Sequence, residues 1–238
     1  MSSDLAPTPG QPTAIRPLRR ASELLLFAAL PLTVAVLALA AFADEGRIAL
    51  DFHHELYPQA VAVANGEPAY EASDADLTDR ANALWPMAAV LPLVPVTAIE
   101  PGIADWIATG FVIACLVAAL ALLGVRDWRV LGVVALWPAT IEGVQTANAS
   151  IPLMLLVAVM WRYRDHAALA GIALGYAVAL KLFLWPLIAW LVLVGRRHAA
   201  AVAGAVVAGS LLLLLPFTSL VDYVRLLRNV AETFEHHS

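Results

Sequence analysis

The chain has 238 residues, of which 61% are hydrophobic and 14% are charged, and its mean hydropathy is +0.79. Soluble domains are less apolar than this, and several apolar runs approach the roughly 18–20 residues that cross a bilayer. The composition therefore predicts a polytopic membrane protein and excludes an ordinary soluble domain. The net charge of −5 says little about partners, because the acidic residues cluster in one loop. No basic patch alternates with exposed aromatic residues, so we expect no nucleic-acid partner.

The N-terminal residues 1–21 are rich in Pro, Ser and Thr and lack apolar periodicity, which predicts a disordered cytoplasmic segment. The first long apolar run follows at 24–43. It ends in Ala41, Phe42 and Ala43 before Asp44, a pattern typical of a signal-peptidase site, so a cleaved signal peptide is the alternative interpretation. The run is long for a signal peptide, which favours a retained first helix. We expect this helix to open a transmembrane module at 22–217.

The segment 44–84 is polar and acidic, and we expect it to form an outer loop with a short helix at 55–65. The next apolar segment, 85–100, contains three prolines and is short, so we expect it to dip into the membrane without crossing. We expect 218–238 to begin a second outer loop. Further apolar runs lie at 103–125, 130–141, 151–161, 167–183, 184–194 and 199–216.

Arginine clusters indicate the orientation, because Lys and Arg collect in cytoplasmic loops. If 85–100 is re-entrant and the chain turns back near Leu182, one face receives every short basic loop. If 85–100 spans the membrane, most of these clusters fall outside. The first arrangement predicts a multi-pass plasma-membrane protein with a cytoplasmic N-terminus. The clusters are Arg16/Arg19/Arg20, Arg126/Arg129, Arg162/Arg164 and Arg196/Arg197.

Several polar side chains are then expected to meet on the outer face. Lys181 is the only lysine of the chain and stands in an apolar run, where a charge usually faces a cavity, a partner or a substrate path. Asp51 follows the first helix and has the chemistry of a general base. Gln145 and Asn148 occupy a turn between helices, where amides and a lysine can hold a lipid-linked phosphate. The tail adds further polar groups: Arg225, Arg228, His236 and His237. Together these groups favour sugar transfer from a lipid-linked donor.

The segment DFHHELYPQAVAVANGEPAY at 51–70 resembles the first-loop signature of glycosyltransferase family 87. LLGVRDWRV, the turn that holds Gln145 and Asn148, MWRYRD and AGIALGYAVALKLFLWPL also resemble actinobacterial members, in the same order along the chain. The resemblance implies an all-α integral membrane protein with a multi-helix bundle of the GT-C superfamily and an extracytoplasmic first loop. It further implies inverting transfer of mannose from polyprenyl-phosphate-mannose to an acceptor on the outer face. A lipid-linked or glycan acceptor is expected, membrane lipids surround the protein, and a pentose donor stays open.

The resemblance also assigns roles to residues. Asp51 matches the acidic residue of the first loop and is the candidate catalytic base. Lys181 matches the lysine that would stabilise the departing polyprenyl phosphate, and Gln145 and Asn148 match a polar turn that contacts sugar or phosphate. We expect no cofactor and no metal. Two further candidate substrate-binding residues lie in the first loop: His54 and Tyr57.

Family members usually run considerably longer than this chain. We therefore expect a fragment, a truncated gene product or half of a two-chain assembly, the last with a C-terminal half supplied by another chain. A lipid or solute transporter is one alternative, although the sequence lacks the internal repeat that transporters commonly show. An inactive membrane remnant is the other alternative.

Three smaller patterns concern packing. Gly171 and Gly175 have the spacing that lets helices approach closely. The tryptophans at 85, 128 and 185 are expected to anchor the membrane interface. His53 and His54 are adjacent, so their side chains are expected to diverge and not to share a metal.

Overall fold

The computed structural model describes residues 15–67, 69–70, 85–218, 223–224 and 228, and every regular element in this part of the chain is helical. Two of the described helices, Leu18–Asp44 and Pro101–Leu122, are long and apolar enough to cross a membrane. A third span results if Pro138–Gln145 and Ser150–Arg162, which meet at a bend of 110°, count as one. The predicted all-α membrane fold is confirmed.

The first span is a continuous helix made of α1 (Ile15–Leu24), a π-helical turn (Leu25–Ala29) and α2 (Leu30–Asp44). It starts earlier than predicted, since residues 15–21 form its first turns instead of a disordered segment. An ion-pair network holds this end: Glu23 accepts from Arg19 Nε and from Arg129 Nη2, each at 3.0 Å. Residues 1–14 lie outside the described part of the chain.

The π-helical turn has a local cause. Pro31 has no N–H for the carbonyl of Phe27, and its ring would crowd that carbonyl in a regular α-helix. The helix widens just before the proline, which is where such bulges relieve strain. Gly132 packs directly on the backbone of Phe27, where a side chain would not fit. The helix that contains Gly132 therefore contacts the first span at the π-helical turn.

The first loop contains a short helix, and a proline-rich helical segment follows the loop. A π-helical turn (Phe52–Leu56) leads into α3 (Tyr57–Ala64), so the short helix predicted at 55–65 is present and begins slightly earlier. After α4 (Met87–Val90) the chain continues as a 3-10 helix (Leu91–Ala98), since its prolines remove the donors an α-helix needs.

Both ends of the proline-rich segment are tied to α3. The Tyr57 hydroxyl donates to the carbonyl of Ile99, and Gln59 Nε2 donates to the carbonyl of Trp85, each at 3.2 Å. The segment therefore lies beside α3, and its helical part, Met87–Ala98, is shorter than the two helices that could cross a membrane. That 85–100 dips into the membrane without crossing stays a prediction.

After the proline-rich segment, the described part of the chain contains seven α-helices and one short 3-10 helix (Leu182–Leu184). The run predicted at 130–141 is broken at Trp137, which is extended because Pro138 follows it. The side chains of Glu100 and Asp127 cap the first two helices by accepting from backbone N–H groups. In order they are α5 (Pro101–Leu122), α6 (Trp128–Leu136), α7 (Pro138–Gln145), α8 (Ser150–Arg162), α9 (Ala167–Leu180), α10 (Pro186–Leu193) and α11 (Arg197–Leu212).

Helices α9 and α11 pack in parallel through glycines. A Cβ added at Gly171 would lie 2.6 Å from the carbonyl oxygen of Ala199, and one at Gly175 would lie 2.6 Å from that of Ala203. The contacts advance in the same direction along both helices, so the helices are parallel. The chain between them must run back, which confirms the predicted turn near Leu182. The predicted close approach through Gly171 and Gly175 is also confirmed.

We expect Gly175→Ala to destabilise the protein by about 1–3 kcal/mol, because the new methyl group meets rigid backbone of α11 instead of a flexible side chain. Thermal unfolding in detergent measures the effect. The matched control is Gly204→Ala on α11, where no atom lies within 4 Å of the added Cβ. Equal unfolding temperatures for the two variants would contradict the packing.

Basic loops collect at one end of the bundle. Glu23 pairs with both Arg19 of the first helix and Arg129, and Arg196 Nη2 pairs with Asp165 Oδ1 at 2.9 Å. Helices α9 and α11 both start at this end. The opposite end holds the first loop, the start of α8 and the end of α9, where the polar candidates lie.

Candidate active site

The first loop docks on the turn between α7 and α8 through its backbone. Ala49 N donates to the carbonyl of Gln145 at 2.7 Å, and Asp51 N donates to that of Thr146 at 2.9 Å. Ala49 and Ala147 are buried at this junction in the left-handed conformation, with φ of +55° and +51°. That conformation costs about 1–2 kcal/mol for a residue with a Cβ, so the surrounding packing must hold it. The junction fixes the backbone of Asp51.

The side chains of Asp51 and Asn148 meet across this junction. Asn148 Nδ2 donates to Asp51 Oδ2 at 2.5 Å, and Asn148 Oδ1 accepts from the backbone N–H of Ser150 at 2.8 Å. The second bond orients the amide, so that its N–H₂ group points at the carboxylate. Two residues predicted for the site, 97 positions apart in sequence, are thus brought into direct contact.

Lys181 contacts the aromatic ring of Trp85. Helix α9 ends at Leu180, and Lys181 is extended, so its side chain leaves the helix axis at the loop end of the bundle. Its Nζ lies 5.4 Å from the centre of the Trp85 ring, a cation–π contact. Trp85 is only 8% exposed, and its indole N–H donates to Glu55 Oε2 at 2.7 Å. The expectation that Trp85 anchors the membrane interface is therefore wrong.

The pKa of the Glu55 carboxyl group reflects its burial and the charges around it. Burial raises the pKa of its carboxyl above the ordinary value, and the negative charge of Asp51 raises it further. The hydrogen bond from Trp85 and the positive charge of Lys181 lower the pKa and only partly offset the burial. Glu55 therefore lies within electrostatic reach of both Asp51 and Lys181, which places the two predicted residues in one cluster.

An apolar cavity of about 430 Å³ adjoins this cluster. Phe52, Ala147, Ala149 and Leu180 line it, and these are the chain neighbours of Asp51, Asn148 and Lys181. The polar groups therefore lie at one edge of the cavity, and the remaining walls are almost entirely apolar. The walls come from the proline-rich segment and from α5, α8 and α9, and include Pro92, Leu93, Ile107, Phe111, Leu155 and Tyr176. Such a shape suits a molecule with a charged head and a hydrocarbon tail.

The comparison with known families decides the class of protein. The sequence profile of glycosyltransferase family 87 matches residues 84–237, well over half of the chain. The chain belongs to glycosyltransferase family 87. The matched residues include Gln145, Asn148 and Lys181, whereas Asp51 precedes them. No curated protein and no solved structure gives a significant match.

The remaining candidate substrate-binding residues of this family 87 glycosyltransferase differ in their exposure and in their bonding partners. Gln145 is buried, and its backbone carbonyl accepts the hydrogen bond from Ala49 N of the first loop. Tyr57 lies in the first loop, but its hydroxyl is bonded to the backbone of Ile99. His54 is exposed, and its ring meets the edge of His53. Substrate contact by His54 and Tyr57 stays a prediction. Arg225, His236 and His237 lie outside the described residues.

Sequence reasoning missed two members of the candidate site, Glu55 and Trp85. Glu55 stands four residues after Asp51, a spacing that puts both carboxylates on one face of a helix and could have pointed to it. Trp85 carried no such signal, because its partners among the described residues come from other segments of the chain. The hydrogen bond between His53 Nδ1 and Asp105 Oδ2, at 2.9 Å, was also not predicted and connects the first loop to α5. Among the described residues, no three His, Cys or acidic side chains are grouped to hold a metal.

Proposed function

We propose that this glycosyltransferase transfers mannose, with inversion, from polyprenyl-phosphate-mannose to a lipid-linked or glycan acceptor at the outer face of the plasma membrane. The observation that supports it is the grouping of a carboxylate, an amide and the only lysine at one edge of an apolar cavity. The cavity suits an isoprenoid chain, and the polar edge suits the sugar phosphate. Family membership supports the reaction class.

In the proposed reaction Asp51 is the general base. The acceptor oxygen attacks the anomeric carbon from the face opposite the phosphate, and the hydroxyl proton passes to the Asp51 carboxylate. The bond between the anomeric carbon and the phosphate oxygen breaks, and its electron pair leaves with the polyprenyl phosphate. Asn148 holds the carboxylate by its hydrogen bond, so that one oxygen stays aimed at the acceptor.

Lys181 acts on the leaving group. The phosphate changes from a diester with one negative charge to a monoester with up to two as the sugar departs. A positioned ammonium group stabilises charge that develops in the transition state more than charge already present in the ground state. The partly buried setting of Lys181 strengthens this effect, because less water screens the ammonium.

Mannose transfer in membranes from cells that express the chain tests the proposal. Radiolabelled polyprenyl-phosphate-mannose is supplied, and membranes from cells without the chain are the control. We expect labelled acceptor of opposite anomeric configuration to the sugar donor. Transfer of a pentose from the corresponding donor, with none of mannose, would overturn the assignment of the sugar. Retention of configuration would overturn the proposed mechanism.

The single lysine also tests the proposed orientation. A membrane-impermeant amine reagent applied to intact spheroplasts can modify only Lys181 and the N-terminal amine. We expect Lys181 to be modified and the N-terminal amine to stay protected until the membrane is permeabilised. Lys181→Arg is the control and should lose the label. Labelling of the N-terminus in intact cells would reverse the orientation.

A further inference from the structure

We propose that Glu55 and Trp85 form a positioning pair: Glu55 fixes the indole of Trp85, and the face of that ring holds the ammonium of Lys181 towards the sugar phosphate. The inference rests on the proposed function, because it assigns a purpose to the placement of Lys181. Neither residue is proposed to touch the reacting atoms. They act through Lys181.

Trp85 is held more firmly than ordinary packing would hold it. Its indole N–H donates to Glu55 Oε2 at 2.7 Å, and its carbonyl accepts from the Tyr70 hydroxyl at 2.7 Å and from Gln59 Nε2 at 3.2 Å. With the backbone and the ring edge both bonded, the ring plane has a defined direction. The bond to a carboxylate is of the stronger, charge-assisted kind.

The ring face suits a lysine that must bind a phosphate. Lys181 follows the last residue of an apolar helix, and its side chain would otherwise have several rotamers of similar energy. A carboxylate partner would fix the ammonium but would also neutralise it. An aromatic face attracts the cation through its quadrupole and leaves the positive charge available. Trp85 therefore positions Lys181 without removing its charge.

Glu55 fixes the orientation of the Trp85 ring. Without its carboxylate the buried indole N–H would lose its partner, and the ring would be free to rotate towards another acceptor. Among the described residues, the charges that act on Glu55 are those of Asp51 and Lys181, so the charge of Glu55 also adds to the field that Lys181 experiences. The two contributions can be separated, because glutamine keeps an oxygen that accepts from the indole and removes the charge.

The single lysine makes the placement directly measurable. Reductive methylation of the purified full chain with ¹³C-formaldehyde labels Lys181 and the N-terminal amine and keeps the charge of Lys181. In wild type we expect the dimethyl-lysine signal to be shifted upfield by the ring current of Trp85, with the N-terminal signal as internal reference. We expect Glu55→Gln to keep the shift and Glu55→Ala to lose it.

Trp85→Phe and Trp85→Leu separate the ring from its hydrogen bond. Phenylalanine keeps an aromatic face and we expect it to retain part of the shift, whereas leucine removes it. An unshifted wild-type signal, or a Glu55→Ala signal identical to wild type in a chain with an unchanged unfolding temperature, would overturn the proposal. This readout does not depend on sugar transfer, so it stands even if wild type transfers no mannose.

Kinetics then test the link to the reaction. We expect Glu55→Ala to lower kcat/KM for the sugar donor by about 10- to 100-fold, the order that a small misplacement costs, and Glu55→Gln to restore most of it. In a Lys181→Met background Glu55→Ala should cause no further loss, because its effect passes through the lysine. Additive losses would show that Glu55 acts by another route. Absence of transfer in wild type would instead count against the proposed function.

Discussion

Replacing Asp51 by asparagine is expected to lower the rate of sugar transfer by about 10²–10⁴-fold, the contribution of a positioned general base. Asparagine is nearly isosteric and still offers an oxygen to Asn148 Nδ2, so the docking of the first loop on the turn between α7 and α8 should survive. It cannot accept the acceptor proton. Radiolabelled transfer at matched protein levels, together with the unfolding temperature, measures both effects.

The matched control is Asp44→Asn. Asp44 ends α2 at the start of the same loop and is exposed, and the exchange removes the same charge. We expect its transfer rate to equal that of wild type. Undiminished transfer by Asp51→Asn would rule out Asp51 as the base, whatever the behaviour of the control.

Lys181→Met is the second change with a large expected effect. It keeps an unbranched apolar stem of similar reach but removes the ammonium, so the departing phosphate loses its counter-charge. We expect a loss of about 10²–10³-fold in kcat, similar to the removal of one electrostatic contact to a developing anion. Because the effect is larger in the transition state than in the ground state, KM for the sugar donor should change less than kcat.

Lys181→Arg tests whether charge alone suffices. Arginine keeps the charge but spreads it over a planar group, so we expect partial activity between that of wild type and Lys181→Met. Arg47→Met controls for a general loss of positive charge, because Arg47 is exposed and pairs only weakly with Glu45. Equal activity of Lys181→Met and wild type would exclude the lysine from the reaction.

Local patterns in the sequence predicted part of the fold. The glycines at 171 and 175 predicted a close helix contact, which the structure confirms, and the long apolar runs at 24–43 and 103–125 correspond to the two helices that could cross a membrane. The prolines of 85–100 account for the 3-10 helix in that segment. The break at Trp137 was also encoded locally, since Pro138 restricts the residue before it. It was missed because hydrophobicity continues across the proline and conceals the change of direction.

For the candidate site, the sequence predicted single residues, whereas the structure was needed to show their contacts. The sequence by itself determined that Lys181 is unusual, because it is the only lysine and interrupts an apolar run, and that Asp51 lies in the first loop soon after the first helix. Only the tertiary structure decided that Asp51 bonds Asn148 and that Trp85 is buried between Glu55 and Lys181. The physical reason is that helix formation depends on neighbours in the chain. The contacts of Asp51 and Trp85 instead depend on how distant segments of the chain pack, and local sequence patterns do not specify that packing.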